Sequence, residues 1–339
     1  MKKYLLPETG NFYKANLHCH TTISDGQLTP AEVKKIYKER GYSIVAYTDH
    51  NAFVQHHELT DGDFLALGGF EVQIYDLDHK VSRTRKTAHI CSIALDPETH
   101  NQPCYHRSWY TPNRVRPLIK FDEAEPDYVQ VYTGEGVTDF ITRSRNAGFF
   151  VTYNHPTWSL ESYPEYSGYK NMHAMEICNY GAYVNGVYEY NPRVYDDLLR
   201  LGNRIYCIGG DDNHNEGEIG SRGYDSFGAF TMIKAEKLEY NTVTDALLRG
   251  NFYASQGPEI YSLTFEDGKV HITTSPADKI TIESGVRFFN VRYATALSGP
   301  LTEATFDVIP DCGYIRLTVF DEHGKAANTN AYFVDELFE

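Results

Sequence analysis

The stretch that most constrains this chain is Asn16-Leu17-His18-Cys19-His20-Thr21-Thr22-Ile23-Ser24-Asp25-Gly26. Residues two apart on an extended strand point to the same face. His18 and His20 therefore stand side by side, while Leu17 and Cys19 turn the other way. Two imidazoles on one face suit the grip of a single cation. Asp25 follows in a loop that Gly26 tightens. Such a start calls for further ligands downstream, and histidine and carboxylate motifs recur along the chain.

Their placement follows a pattern. Tyr13 to His20 is predicted as a strand. Thr29-Pro30-Ala31-Glu32 is a capping box with proline at the first helical position, and the helix it opens runs to about Arg40, stopped by Gly41. Tyr42 to Tyr47 is a strand with Thr48-Asp49-His50-Asn51 at its carboxyl end, so the first unit is a βαβ crossover. Phe64 to Ile74 is an apolar run ending near Glu71. Ala88 to Leu95 is the next strand, opened by His89. For His50, Glu71 and His89 to meet, that strand must return antiparallel as a hairpin, with the basic loop Tyr75 to Thr87 overhanging the site. Asp96 to Asp127 is proline-rich and irregular, a loop long enough to be a lid or binding element. Further on, Phe149 to Tyr153 ends in Asn154-His155-Pro156. Met172 to Cys178 holds Glu176. Arg204 to Gly209 is followed by Gly210-Asp211-Asp212-Asn213-His214. Helices are predicted over 134–147, 191–201 and 242–249, and a strand over 227–233. The tyrosine-rich loop 163–190 is expected to wall the pocket together with 96–127.

After Pro258 the texture changes to short runs that alternate apolar and polar, separated by turn residues. The expected division is residues 1–258 as an α/β unit and 259–339 as a smaller all-β, sandwich-like accessory unit. In a parallel α/β barrel the site assembles at the strands' carboxyl ends, where these motifs lie.

Composition narrows the function classes. The formal net charge is −15, which argues against nucleic acid gripped by a basic face. A small anionic substrate stays compatible, because a metal-filled pocket carries its own positive field. The six cysteines form no CxxC pair, and Cys19, Cys91 and Cys207 sit inside apolar strand-like runs. They read as small reduced core residues, as in a reducing cytoplasm. The amino-terminal Met1-Lys2-Lys3-Tyr4-Leu5-Leu6-Pro7 lacks the apolar core of a signal peptide, and no run approaches the length of a membrane helix. A cytoplasmic location with no membrane partner is the expectation.

Nine residues stand out as metal-ligand candidates: His18, His20, Asp25, His50, Glu71, His89, His155, Asp212 and His214. A lone histidine beside an apolar run is usually a hydrogen-bonded core residue. The signal is the ordered set: HxH, an acid, TDH, a strand glutamate, a strand histidine, NHP and DxH. That set resembles the PHP family, the polymerase and histidinol phosphatase superfamily of metal-dependent phosphoesterases, over roughly residues 14–258. The resemblance implies a distorted (β/α)7 TIM-like barrel with up to three divalent metals. It implies His18, His20 and Asp212 on one metal, Glu71 bridging to a second held by His89 and His155, and Asp25, His50 and His214 on a third. Aspartate at position 25 resembles the branch whose members act on varied phosphoesters.

Nine such groups cannot converge uncompensated. Three carboxylates and six neutral imidazoles around three dications leave a net charge of about +3, suited to a phosphate dianion. Mixed nitrogen and oxygen ligands point to Mn, Fe or Zn rather than Ca or Mg. The expected reaction is hydrolysis of a small-molecule phosphate ester by a metal-bridging hydroxide held by Glu71, with His214 and Asp212 as proton-transfer groups. Arg222, Arg83 and Arg85, with Lys86, are the candidates for phosphate contact. Asp49, Asp211 and Asn154 are expected to orient ligands, and Glu176 to support them. His56, His57, His79 and His106 read as surface residues. The same metal set could attack a carboxylic or carbamic ester or an amide, and a non-catalytic metal-binding module is the third reading.

Overall fold

The computed structural model describes residues 2–339 except 79, 80, 82, 83 and 110. Arg83 and His79 of the reading above lie outside the described residues. A short β1 (Lys3–Tyr4) precedes β2 (Asn11–Asn16). α1 (Pro30–Glu39) begins at the expected box. Thr29 Oγ1 accepts from the Glu32 N–H at 3.3 Å, and the Glu32 carboxylate accepts from the Thr29 N–H at 2.8 Å. The helix buries Val33 and Tyr37 and stops at Gly41, whose φ of +77° is left-handed. β3 (Ile44–Tyr47) runs parallel to β2 and completes the crossover. β4 (Leu65–Tyr75) lies parallel beside it, and β5 (Thr87–Ala94) returns antiparallel as the predicted hairpin.

Next come α2 (Gly134–Asn146), β6 (Phe149–Asn154), α3 (Tyr163–Tyr166), β7 (Ala174–Asn179), α4 (Tyr180–Val184), α5 (Pro192–Arg200) and β8 (Tyr206–Gly210). β9 (Phe230–Ala235), α6 (Tyr240–Leu248) and β10 (Phe252–Ser255) follow. β6, β7 and β8 are parallel neighbours, and β9 returns antiparallel against β2. The remainder is almost wholly strand: β11 (Ile260–Glu266), β12 (Lys269–Ala277), β13 (Lys279–Ser284), β14 (Asn290–Tyr293), β15 (Leu301–Asp307), β16 (Tyr314–Phe320), β17 (Ala326–Thr329) and β18 (Tyr332–Phe333). A terminal α7 (Val334–Phe338) closes the chain. No helix among the described residues is long and apolar enough to cross a membrane.

The result is a mixed α/β architecture with an antiparallel β-rich part. One sheet runs β14-β13-β16-β17-β10-β9-β2-β3-β4-β5-β6-β7-β8, with β18 on β16, and a second runs β1-β11-β12-β15. The large sheet therefore passes through position 258, because β17 pairs with β10.

One apolar cluster takes residues from every strand between β2 and β10. Ala15, Ile44, Leu67, Ile93, Phe150, Ala174, Ile208, Ile233 and Phe252 all belong to it. The expected distorted (β/α)7 TIM-like barrel is met only in part, since among the described residues the backbone ladder stays open at β8. Side chains cross the gap instead. Thr231 Oγ1 accepts from the Gly209 N–H at 3.1 Å and donates to Gly209 O at 2.9 Å. Asn330 Oδ1 accepts from the Cys207 N–H at 2.9 Å.

Strand alternation links this core to the site. Leu67 and Glu71 share one face of β4, Ile93 and His89 one face of β5, and Ala174 and Glu176 one face of β7. Each strand is apolar at one level and polar at the next. The predicted strand from Tyr13 to His20 ends instead at Asn16. The backbone of the HxH segment is committed elsewhere: the Cys19 N–H donates to Thr48 Oγ1 at 2.9 Å and the His20 N–H to Asn213 O at 3.0 Å. Loop 96–127 carries a small core of its own, in which Tyr105, Val115 and Ile119 pack on Ala52, with Trp109 against them.

Candidate metal centre

The HxH and DxH segments lie side by side because Asn16 staples them. Its Oδ1 accepts from the Asp211 N–H at 2.9 Å, its Nδ2 donates to Asn213 Oδ1 at 2.8 Å, and the Asp212 N–H donates to His18 O at 2.9 Å. Asp49 folds the following loop, accepting from the Thr21 and Ser24 N–H groups at 2.8 and 3.0 Å and so placing Asp25. Asp211 accepts from the N–H groups of Phe227, Gly228 and Ala229 and from the Tyr37 hydroxyl. Asp49 thus holds the loop that carries Asp25, and Asp211 ties the segment that carries Asp212 to residues 227–229. Asp212 and His155 sit at φ of +50° and +25°, left-handed values that a non-glycine residue holds only when its surroundings enforce them.

All nine candidates converge. His18 Nε2 and His20 Nε2 lie 3.1 and 3.0 Å from Asp212 Oδ1, and 3.2 Å from each other. Glu71 Oε1 lies 3.0 Å from His89 Nδ1, 3.3 Å from His155 Nε2 and 3.2 Å from His18 Nε2. Glu71 Oε2 lies 3.0 Å from His50 Nδ1. At the mouth, Asp25 Oδ1 lies 3.5 Å from His214 Nε2 and 3.9 Å from His20 Nδ1, and Asp25 Oδ2 lies 3.7 Å from His50 Nε2. Among the described residues five groups have donor atoms close enough to hold an ion: His18, His20 and Asp212; Glu71, His89 and His155; His20, Asp25, His50 and His214; His18, His155 and Glu176; and His18, Glu71 and Cys91. The geometry adds His20 to the third group, between the rings of His50 and His214 at 4.2 and 4.3 Å.

The donor set fits cations. His18 Nδ1 faces Glu176 Oε1 at 3.1 Å, which places its proton there and leaves the Nε2 lone pair aimed at carboxylates and at another imidazole. His20 Nδ1 and Glu71 Oε2 are buried and make no hydrogen bond, although His50 Nδ1 stands near the latter. Acceptors facing acceptors in a buried site need positive charge between them. Burial works to raise the Glu71 carboxyl, yet the charges of His89, His18 and His50 hold it well below the usual range. Asp212 is likewise held low against burial, chiefly by His18 and His20. Burial, then His50 and His214, push His20 down to about 3, and burial pushes His89 down to about 4. Burial thus drives these two imidazoles towards the neutral form that metal ligation requires, while the neighbouring carboxylates hold His18 and His50 up against burial and His155 up to about 9.

Several supporting residues escaped the sequence reading. Asp225 accepts from the His214 N–H at 2.7 Å. Glu189 accepts from the Thr157 and Trp158 N–H groups at 3.0 and 2.6 Å and fixes the turn after His155. Gln73 Nε2 lies 3.2 Å from both ring nitrogens of His50, and its Oε1 accepts from the Tyr75 hydroxyl. Arg114 donates to Thr22 O at 2.6 Å, beside the HxH loop. Glu176, foreseen as a support alongside Asp49, Asp211 and Asn154, also accepts from the His155 N–H at 3.2 Å and from Asn179 Nδ2 at 2.8 Å. Cys91 comes within range of His18 and Glu71, but burial pushes its thiol up to about 11 and Asn154 Nδ2 donates to it.

The candidate phosphate contacts are not gathered in this way. Arg222 is exposed, and Lys86 pairs with Glu165. Arg85 is half-buried and its charge reaches Tyr75. Of the histidines read as surface residues, His56 is buried against Tyr47 instead, which its apolar neighbours Ala52 and Phe53 could have signalled.

A cavity of about 400 Å³ opens on Asp25 and His50, walled partly by Trp109 and Pro112 of loop 96–127, as expected. Trp158 stands edge-on to His89 and His155, each at 5.2 Å. The chain's two tryptophans thus flank the cluster on different sides.

No protein-family model and no curated protein matches the chain. Among solved structures it is similar to a two-domain protein from Bacteroides vulgatus described as containing a predicted PHP-like metal-dependent phosphoesterase. The identity is 14%, with 98% of this chain and 90% of that chain covered and a TM-score of 0.48. It is also similar to a protein from Bifidobacterium adolescentis provisionally described as a metal-dependent phosphoesterase, at 16% identity, 72% and 98% coverage and a TM-score of 0.40. An amidohydrolase from Chromobacterium violaceum with bound sulfate and no metal matches at 16% identity, 60% and 88% coverage and a TM-score of 0.32. Over nearly its whole length, then, the chain is similar to a protein described in PHP-like terms.

Proposed function

We propose that the chain is a metal-dependent phosphoesterase acting on a small phosphorylated molecule. One observation carries this reading: six histidines and three carboxylates converge on one site, and two buried atoms among them, His20 Nδ1 and Glu71 Oε2, make no hydrogen bond among the described residues. His18, His20 and Asp212 would hold one ion, His89 and His155 a second, and Asp25, His50, His214 and His20 a third. Glu71 would serve both the first and the second ion, since its Oε2 lies 3.5 Å from His20 Nε2 and its Oε1 3.0 Å from His89 Nδ1. When bound, two or three divalent ions of the Mn, Fe or Zn class supply an acidified water and positive charge for phosphoryl oxygens. The chain's own part is positional. Glu176 fixes the His18 tautomer, Asp49 and Asp225 hold the loops at the mouth, and the buried walls keep bulk water from the inner ligands. Proton transfer to the leaving oxygen falls, in this reading, to His214 or Asp212 when that residue is not holding an ion, and His214 is the more exposed of the two. Residues 259–339 are the accessory part in this reading.

The test is phosphate release from a panel of phosphomonoesters and phosphodiesters, with aryl carboxylic esters alongside, after loading with Mn²⁺, Fe²⁺ or Zn²⁺. Turnover of phosphoesters that a chelator abolishes and Glu71→Gln removes is the expected result. Carboxylic ester turnover without any phosphate release would overturn it.

A further inference from the structure

We propose that the leaving group this site accepts is an uncharged polyol ring, which makes the substrate the phosphate monoester of a monosaccharide. This rests on the phosphoesterase reading above. The cavity beside Asp25 and His50 has about 400 Å³, room for one such ring. Five of its walls are neutral hydrogen-bonding side chains: Ser24, Asn51, Gln73, Tyr75 and Gln130. Amides and hydroxyls both donate and accept, as the vicinal hydroxyls of a sugar do. Gln130 Nε2 has no hydrogen-bond partner among the described residues. Gln73 is braced by the Tyr75 hydroxyl on one side and His50 on the other, so its position is set before a ligand arrives.

Trp109 supplies a flat apolar face for the carbon side of the ring, and it is itself backed by Tyr105 and His106. Among the described residues lining this cavity there is no lysine or arginine, and its one charged acid, Asp25, is an acceptor. The basic charge shown to reach this lining is that of Arg85, through Tyr75, so the walls themselves favour an uncharged leaving group over one carrying a second phosphate or a carboxylate. Five hydrogen-bonding walls against one indole suit a ring with hydroxyls around its rim better than a nucleobase, whose polar atoms lie on fewer edges.

The Mn²⁺-loaded protein is assayed for phosphate release from hexose monophosphates, a hexose bisphosphate, nucleoside monophosphates and nitrophenyl phosphate, and binding of the same compounds is measured by calorimetry. Hexose monophosphates are expected to show the highest kcat/KM and the tightest binding, about tenfold or more over the others, the worth of one or two hydrogen bonds. Trp109→Ala and Gln130→Ala should each raise KM for the hexose ester more than they lower kcat. Turnover of nitrophenyl phosphate with preference for a nucleotide or the bisphosphate, or with no preference, overturns the polyol inference and leaves the phosphoesterase reading standing. Selective binding of hexose phosphate without phosphate release from any ester does the reverse. Neither binding nor turnover of any compound overturns both.

Discussion

If the convergent donors hold ions, loading should raise thermal stability in steps whose size the structure fixes. A ligand that binds only the folded state at a hundredfold excess over its Kd adds about 2.7 kcal/mol per site. For a chain of 339 residues, an unfolding entropy of about 2.1 cal/mol/K per residue amounts to about 0.7 kcal/mol/K. Each ion should then raise Tm by about 4 °C, and three by about 11 °C. Differential scanning calorimetry of chelator-stripped protein titrated with Mn²⁺ or Zn²⁺ reads this directly. The groups share members, so the losses should be graded. Asp25→Asn touches only the group at the mouth and should remove one increment. His20→Ala touches two groups and should remove two. A flat Tm throughout the titration of the stripped wild-type protein, or an equal shift in Asp25→Asn, would refute the reasoning.

Other outcomes follow from single contacts. Glu176→Gln weakens the hold on His18 Nδ1 and the His155 N–H, and should lower metal affinity or activity about 10–100-fold, measured by metal titration. Glu161 is buried and accepts from the hydroxyls of Tyr132, Tyr153 and Tyr169, and burial pushes its carboxyl up to about 7. Because the folded state keeps this proton longer than the unfolded one, stability should fall as pH rises from about 4.5 to about 7, by at most about 3 kcal/mol. Denaturant titrations of wild type and Glu161→Gln across that window should differ by this slope. Truncation after residue 258 strips β17 from β10 and Asn330 from the Cys207 N–H, and should yield protein that a protease degrades far faster than the full chain.

Local rules made much of this legible in sequence. The capping box at Thr29, the glycine stop at Gly41 and the alternation of β4 and β5 each act within a few residues, and the elements formed where they pointed. The nine candidates were legible for a different reason: their chemistry makes sense only as a set. Partners distant in sequence were not legible. Nothing near Cys19 announces that its neighbours pair with Asn213, so the predicted strand runs four residues past the end of β2. Gln73 sits on the expected strand but looks like ordinary polar alternation until His50 is placed beside it. Trp109 and Arg114 lie in an aperiodic loop whose path is set by a small core of its own. The open ladder at β8 was hidden because Thr231 and Asn330 look like ordinary polar residues.

Those two side chains have a consequence for how the molecule behaves in a crowded solution. A strand at the end of a sheet normally shows bare peptide groups that invite a stranger's strand. Here the Cys207 N–H and both peptide groups of Gly209 are already occupied by the protein's own amide and hydroxyl. Asn330 also ties down Gly250 O and Phe252 O. Thr231 and Asn330 together leave these peptide groups of β8 with nothing to offer the strand of a second copy.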